Sequence, residues 1–196
     1  MGLSQFKLAL DTSLEATPGF VATSNRFAQL QEVSGSTKRS GGGDGGGGPS
    51  GRAVRLSDDQ RDAMGFAGEW LAFQWLERHH DSDFTPAGWV SAYRRTVFPG
   101  EGDDGLGWDF QVPTRQGELR YEVKTTVSDG GQIELGETQV LAAQEHSRND
   151  WWRLIVVTNV LNANRRLRIL PNPFGPRARG RYVFVGQGLR LRYVFD

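Results

Sequence analysis

Three side chains in the middle of this 196-residue chain have the types and spacing to hold a divalent cation beside a compact ammonium: Asp109, Glu122 and Lys124. The segments Trp108–Val112 and Glu118–Thr125 read as strands, and Thr114-Arg115-Gln116-Gly117 reads as the turn between them. Folding that hairpin about Arg115 and Gln116 sets Asp109 opposite Glu122, with Cβ atoms about 4.5–5.5 Å apart. Two carboxylates at about 5 Å repel by roughly 3 kcal/mol at an effective dielectric near 20. A hard divalent cation between them is the economical way to offset that repulsion. Glu122 and Lys124 are two apart and share a face, while Val123 points into the core and offers its carbonyl as a further oxygen ligand.

Lys124 carries a second argument. The chain has three lysines among its 23 basic residues, and the other two, Lys7 and Lys38, lie far upstream. A solitary Lys beside two acids fits a need for a compact ammonium that holds a water or an anionic oxygen. The plainer alternative is a cross-strand ion pair on a sheet surface.

The elements that must position these groups follow from the periodicity. Ser57 is a candidate cap with Gln60 three residues on, and Ala63, Phe66, Ala67, Trp70, Leu71 and Trp75 recur at helical spacing. Gly65, Gly68 and Ala72 form a small-residue stripe suited to close approach of a sheet, and Glu69 lies between the two faces. Strands are expected at Trp89–Tyr93, Trp108–Val112 and Glu118–Thr125. A second helix is expected at Gly136–His146, with Val140, Leu141 and Ala143 on its apolar side. Trp152–Thr158 reads as a central strand, followed by Arg165–Leu170, Arg181–Val185 and Leu189–Phe195. The fold class is therefore α/β or α+β: helix, three strands, helix, strand and a β-rich end.

Composition bounds the rest. Seven of the eight residues from Gly41 to Gly48 are glycine, so residues 34–52 read as a flexible linker. It separates a short segment, residues 1–33, with a possible helix around Asn25–Glu32, from a body at residues 53–196. The absence of cysteine excludes disulfides and thiolate zinc sites, and three histidines are too few for a multi-histidine metal centre. No apolar run is long enough to cross a membrane, and the start lacks the pattern of a secretory signal, so a soluble cytoplasmic protein is expected. Net charge is zero, but from Val97 to Asp150 eleven acids face four bases, and from Trp151 onward nine arginines face one acid. That polarity suits a metal site beside an anion-binding surface, or two solvated faces of opposite sign.

Asp109 followed by Glu122-Val123-Lys124 resembles the D…(D/E)-x-K signature of the PD-(D/E)XK nuclease superfamily. The wider string is more specific: Gly65-Phe66-Ala67-Gly68-Glu69, then Gly107-Trp108-Asp109-Phe110, then Tyr121-Glu122-Val123-Lys124-Thr125-Thr126, then Glu134-Leu135-Gly136-Glu137. In that order, over roughly Ser57 to Val160, it resembles the NO VEIN C-terminal domain family within that superfamily. The resemblance implies a restriction-endonuclease-like core of helix, three-stranded meander, helix and strand, with a β-rich extension. It further implies that Asp109 and Glu122 hold Mg²⁺ or Mn²⁺, that Lys124 orients the attacking water, and that Glu69 is an outer ligand or holds metal-bound water. Two departures are visible: no Pro precedes the first acid, as in many members of the superfamily, and Gln139 stands where relatives often carry Glu.

The expected function is thus metal-dependent phosphodiester hydrolysis of nucleic acid, with DNA the expected substrate, as an effector of a restriction- or defence-type system. Arg166 and Arg168, Arg190 and Arg192, and the loop cluster Arg177, Arg179 and Arg181 are the candidate phosphate contacts; the alternative is the polar side of half-buried strands. A second reading is a catalytically silent module of the same fold that binds nucleic acid or a partner protein, recruiting a larger ATPase, restriction or defence-complex protein through its first 33 residues. A third is metal-independent nucleic-acid binding by the arginine strands. Cutting both strands of a duplex would suit a homodimer. Gly100-Glu101-Gly102-Asp103-Asp104-Gly105 matches a dinucleotide fingerprint literally, but its acids would repel a pyrophosphate and no helix follows. It reads as a loop flanking the site. His79, His80 and His146 sit at helix ends, and Trp151-Trp152 read as entering the core strand.

Overall fold

The computed structural model describes residues 58–80, 83–128, 131–160, 164–184 and 190–193. The expected N-terminal segment, the glycine-rich linker and the Ser57 cap lie outside them. Helix α1, Asp58–His79, buries Phe66, Ala67, Leu71, Ala72, Trp75 and Leu76, the face that the apolar spacing predicts. It ends on its histidines as expected, with His79 Nδ1 2.9 Å from the Trp75 carbonyl one turn back.

Strands β1 (Phe110–Thr114), β2 (Gly117–Thr125), β4 (Trp152–Thr158) and β5 (Arg166–Leu170) form one sheet in the order β1-β2-β4-β5. The β2–β4 pair is parallel and the others are antiparallel. A smaller antiparallel sheet has the order β3-β7-β6, from β3 (Gln132–Glu134), β6 (Tyr182–Phe184) and β7 (Arg190–Tyr193). Helix α2, Glu137–Glu145, connects β3 to β4, a crossover of the kind a parallel pair requires.

The period-two alternation of the central strands splits the core. Tyr121, Val123, Ile155, Val157 and Leu167 pack with α1. Leu154, Val156 and Leu170 pack with α2 and with Ile133, Leu191 and Tyr193 of the smaller sheet. Strand β4 is covered on both faces, which explains its unbroken apolar run. Trp152 is fully buried there and donates to the Gly107 carbonyl at 2.9 Å, whereas Trp151 stops short of the strand and is half-buried.

Two local expectations are corrected. Trp89–Tyr93 is not a strand: Trp89 makes one bridge to Phe110, and Ala92–Thr96 winds into a 3-10 turn. The competing partner is a side chain. The Ala92 N–H donates to Asp104 Oδ1 at 2.7 Å, and Asp103 N–H returns to the Val90 carbonyl, so the acidic loop takes the groups a ladder would use. In α2, Leu141 is 59% exposed, and Ala142 is buried with Val140 and Ala143. Residue 141 lies about 100° round the helix from 140, which turns it away from the sheet.

Candidate active site

The hairpin register sets Phe110 against Tyr121 and Thr114 against Gly117, so one further step places Asp109 beside Glu122. Asp109 precedes the first strand pair, and its main chain is fixed by donation to the Tyr121 carbonyl at 2.9 Å. Its Oδ2 accepts the Val123 N–H at 2.7 Å. Even-numbered residues along β2 turn their main-chain groups toward β4: the Arg120 N–H donates to the Trp151 carbonyl just before β4, and the N–H of Thr126, just past β2, donates to the Val157 carbonyl. Val123 therefore turns its main-chain groups toward the edge where Asp109 stands. Gly107 makes this entry feasible: it has φ +82°, and a Cβ there would stand 2.5 Å from the Thr138 carbonyl of α2.

Glu122 is 3% exposed and Glu69 6%, and both line a cleft of about 360 Å³ together with Asp109, Val123 and Gln139. Lys124 Nζ lies 3.0 Å from Glu122 Oε1 and donates to Gln139 Oε1 at 2.8 Å. Gln139 closes the chain, with Nε2 donating to Glu122 Oε1 at 2.5 Å. The same Gln139 Oε1 accepts the Gly136 N–H at 2.8 Å, so one side chain caps α2 and clamps the acid and the lysine. Glutamate at this position could cap the helix but could not donate to Glu122.

Glu69 reaches the cleft from α1. Its Oε2 accepts from Trp89 Nε1 at 2.7 Å and from Ser91 Oγ. Burial pushes the Glu69 carboxyl up to about 8, against the pull of the Ser91 and Trp89 hydrogen bonds and with added repulsion from Glu122 and Asp104. Asp109 is raised well above the usual range by burial, then by Glu122 and Glu69. Glu122 is raised by burial, with Lys124 opposing. A carboxyl raised by folding binds more protons in the folded state, so its contribution is present in acid and is lost as pH rises from about 4.5 toward about 8. Wild-type thermal stability is therefore expected to fall across that range. Glu69→Gln keeps an acceptor for Trp89 and Ser91, and should be roughly 2 kcal/mol more stable than wild type at pH 8 and equal to it at pH 5. Parallel melting curves of the two proteins over that range would show Glu69 to be ionised throughout.

The cleft also holds residues that sequence reasoning missed. Asp104 lines it from the acidic loop, Arg95 lines it from the 3-10 turn, and Trp89 and Ser91 hold Glu69. Reading residues 89–93 as a strand hid the last pair. The signal for Gln139 was present, because it is the third residue of a helix entered through Gly136.

The arginines fare unevenly. Arg166, Arg179 and Arg192 are exposed, and Arg181 is half-buried. Arg177 is exposed and meets Asp150 at 3.3 Å. Arg168 is corrected: it is 5% exposed and donates to Thr158 Oγ1 at 3.1 Å. It pairs with Val156 at the middle of β4, where the sheet is covered, whereas Arg166 sits at the strand end. The side chain of Arg190 lies outside the described residues. Arg166 and Arg168 belong to the larger sheet, and Arg190 and Arg192 to the smaller.

These features define a mixed α/β domain of two helices and two sheets among the described residues, with an acid-lined cleft at the open end of a hairpin. The family model "Protein NO VEIN, C-terminal" matches residues 69–170, and the chain belongs to that family. The match begins at Glu69 and takes in Asp109, Glu122, Lys124 and Gln139. No curated protein and no solved structure matches the chain. Among the described residues no helix is long and apolar enough to cross a membrane.

Proposed function

We propose that this domain hydrolyses phosphodiester bonds of nucleic acid, DNA foremost, with a divalent metal, and that α1, the β1–β2 hairpin, α2 and β4 form a restriction-endonuclease-like core of the PD-(D/E)XK type. The observation that carries the reading is that Asp109 and Glu122 line one cleft, on a hairpin whose register sets the two acids side by side, with the Lys124 ammonium 3.0 Å from Glu122 Oε1.

The donor set fits Mg²⁺ or Mn²⁺. Among the described residues no group of three His, Cys, Asp or Glu side chains is arranged to hold a metal ion. Magnesium, however, commonly takes one or two carboxylates and keeps several waters. Asp109 and Glu122 would hold it, with the Val123 carbonyl on the same edge, and their raised protonation is the penalty a cation would relieve. When bound, the metal supplies charge neutralisation at the scissile phosphate and a more acidic water. The chain's own groups do the rest. Lys124 holds the attacking water or a phosphoryl oxygen, Gln139 fixes the direction of its ammonium, and Glu69 holds a water at the α1 side of the cleft.

Plasmid and single-strand cleavage with Mg²⁺ or Mn²⁺ tests this. Cutting is expected in wild type and absent with chelator or in Glu122→Ala. Cutting that persists in Glu122→Ala would place the activity elsewhere.

One observation favours a second reading, a silent module of the same fold that binds nucleic acid or a larger ATPase or defence-complex partner. Glu122 Oε1, Lys124 and Gln139 are joined to one another by hydrogen bonds, as a structural ion-pair network would be. Nucleic-acid or partner binding that is indifferent to metal, without cleavage by wild type, would select it.

A further inference from the structure

At the other end of the β1–β2 hairpin from the acidic cleft lies a second cavity of about 390 Å³, walled by the Thr114–Gln116 turn, the approach to β4 and Arg177. Arg115, Arg153 and Arg177 line it, and Asp150 is the acid among its lining residues. Asp150 is committed elsewhere. Its Oδ1 accepts the Asn172 N–H at 3.1 Å, and its Oδ2 is shared by Arg153 Nε and Arg177 Nη1, each at 3.3 Å. Each guanidinium thus spends one edge on a single buried carboxylate, and the remaining N–H groups of both lie outside that contact. Three cations against one acid leave a surplus of two positive charges at the cavity.

The platform is built rather than incidental. Asp150 holds φ 56°, a left-handed conformation that a non-glycine residue adopts at a cost. Asn172, whose N–H anchors Asp150, is fully buried and donates through Nδ2 to the Ala143 carbonyl at the end of α2. Trp151, half-buried beside these arginines, is held against the turn: a Cβ on Gly117, at φ +151°, would stand 2.6 Å from its ring. Guanidinium forks suit phosphate oxygens, an indole face suits a flat ring, and the volume lies within the range of small-ligand pockets.

We infer that this cavity binds a nucleotide unit, with its phosphate between Arg115, Arg153 and Arg177 and its base against Trp151, either as a free mononucleotide or as part of a nucleic-acid strand. The site contains none of the residues of the acidic cleft and stands whether or not that cleft turns over.

The test is binding by the full chain carrying Glu122→Gln, with chelator present so that no cleavage intervenes. Inorganic phosphate, adenosine 5′-monophosphate and a short single-stranded oligonucleotide are titrated by calorimetry and by tryptophan fluorescence. Arg115 and Arg177 are exposed, so Arg115→Ala and Arg177→Ala should keep the fold, as circular dichroism would check. Each is expected to weaken nucleotide binding about tenfold, and the pair more. Phosphate should bind more weakly than the monophosphate. Tighter binding of the oligonucleotide than of the monophosphate, lost in the same variants, would identify a strand as the source; equal binding would identify the free nucleotide. The inference is overturned if the two arginine variants bind like the parent, or if the monophosphate binds no better than inorganic phosphate.

Discussion

Lys124→Ala is expected to lower cleavage by about 10²–10³-fold while nucleic-acid binding persists. The size follows from what the ammonium faces. It lies 3.0 Å from Glu122 Oε1, is directed by Gln139, and is one-fifth exposed, so it acts where water screens it poorly. Binding should persist because the exposed arginines that could meet a phosphate backbone, Arg166, Arg179 and Arg192, are separate from the acid pair. Lys124→Arg should not restore the rate: a planar fork cannot take the place of a point charge between Glu122 Oε1 and Gln139 Oε1. Single-turnover cleavage beside an equilibrium binding curve separates the outcomes. Parallel loss of both would mean that Lys124 serves the fold, as partner to a buried glutamate.

Gly68→Ala is expected to destabilise the domain by about 3 kcal/mol, the upper range for inserting a methyl group into a packed contact. A Cβ at this position would stand 1.8 Å from Thr125 Oγ1 and 2.9 Å from Thr125 Cβ. Rotating the threonine removes the first clash but not the second, so α1 must lift from the end of β2. For a domain of this size the melting temperature should fall by roughly 6–12 °C. The effect extends to the site, because Glu69 is the next residue on α1 and its hydrogen bonds to Trp89 and Ser91 depend on where the helix sits. Thr125→Ala in the same chain should recover part of the loss. Unchanged melting of Gly68→Ala would show that helix and strand do not approach so closely.

Whatever local chemistry and strict periodicity decide was readable from residue order. The turn at Arg115 and Gln116 fixes the hairpin register, and a period of two then leaves one arrangement in which Asp109 meets Glu122 and Lys124 shares their side. Apolar spacing sufficed for α1 and for β4, and the glycines at 65 and 68 marked where the helix comes close to other groups. Residues 89–93 show where this stopped. Their pattern suits a strand, but the Asp104 carboxylate, twelve residues from Ala92, captures the ladder's N–H and bends the chain into a 3-10 turn. That turn puts Arg95 at the cleft and Ser91 on Glu69, so the wall of the site was lost with the strand.

Arg168 and Gln139 make the same point from opposite directions. Alternation correctly assigned Arg168 to the face of Arg166, but burial depends on what covers that face, and the middle of β4 is covered where its end is not. Gln139 stood out in the sequence only as a departure from Glu. Its role in joining Gly136, Lys124 and Glu122 required α2 to dock on β4 at the one rotation that lets Gln139 reach β2. The sequence by itself determined the hairpin register and the juxtaposition of the two acids, because both follow from short-range geometry. The tertiary structure alone decided which donors and walls surround that pair, because those contacts join residues 15 to 22 positions apart whose meeting no local period encodes.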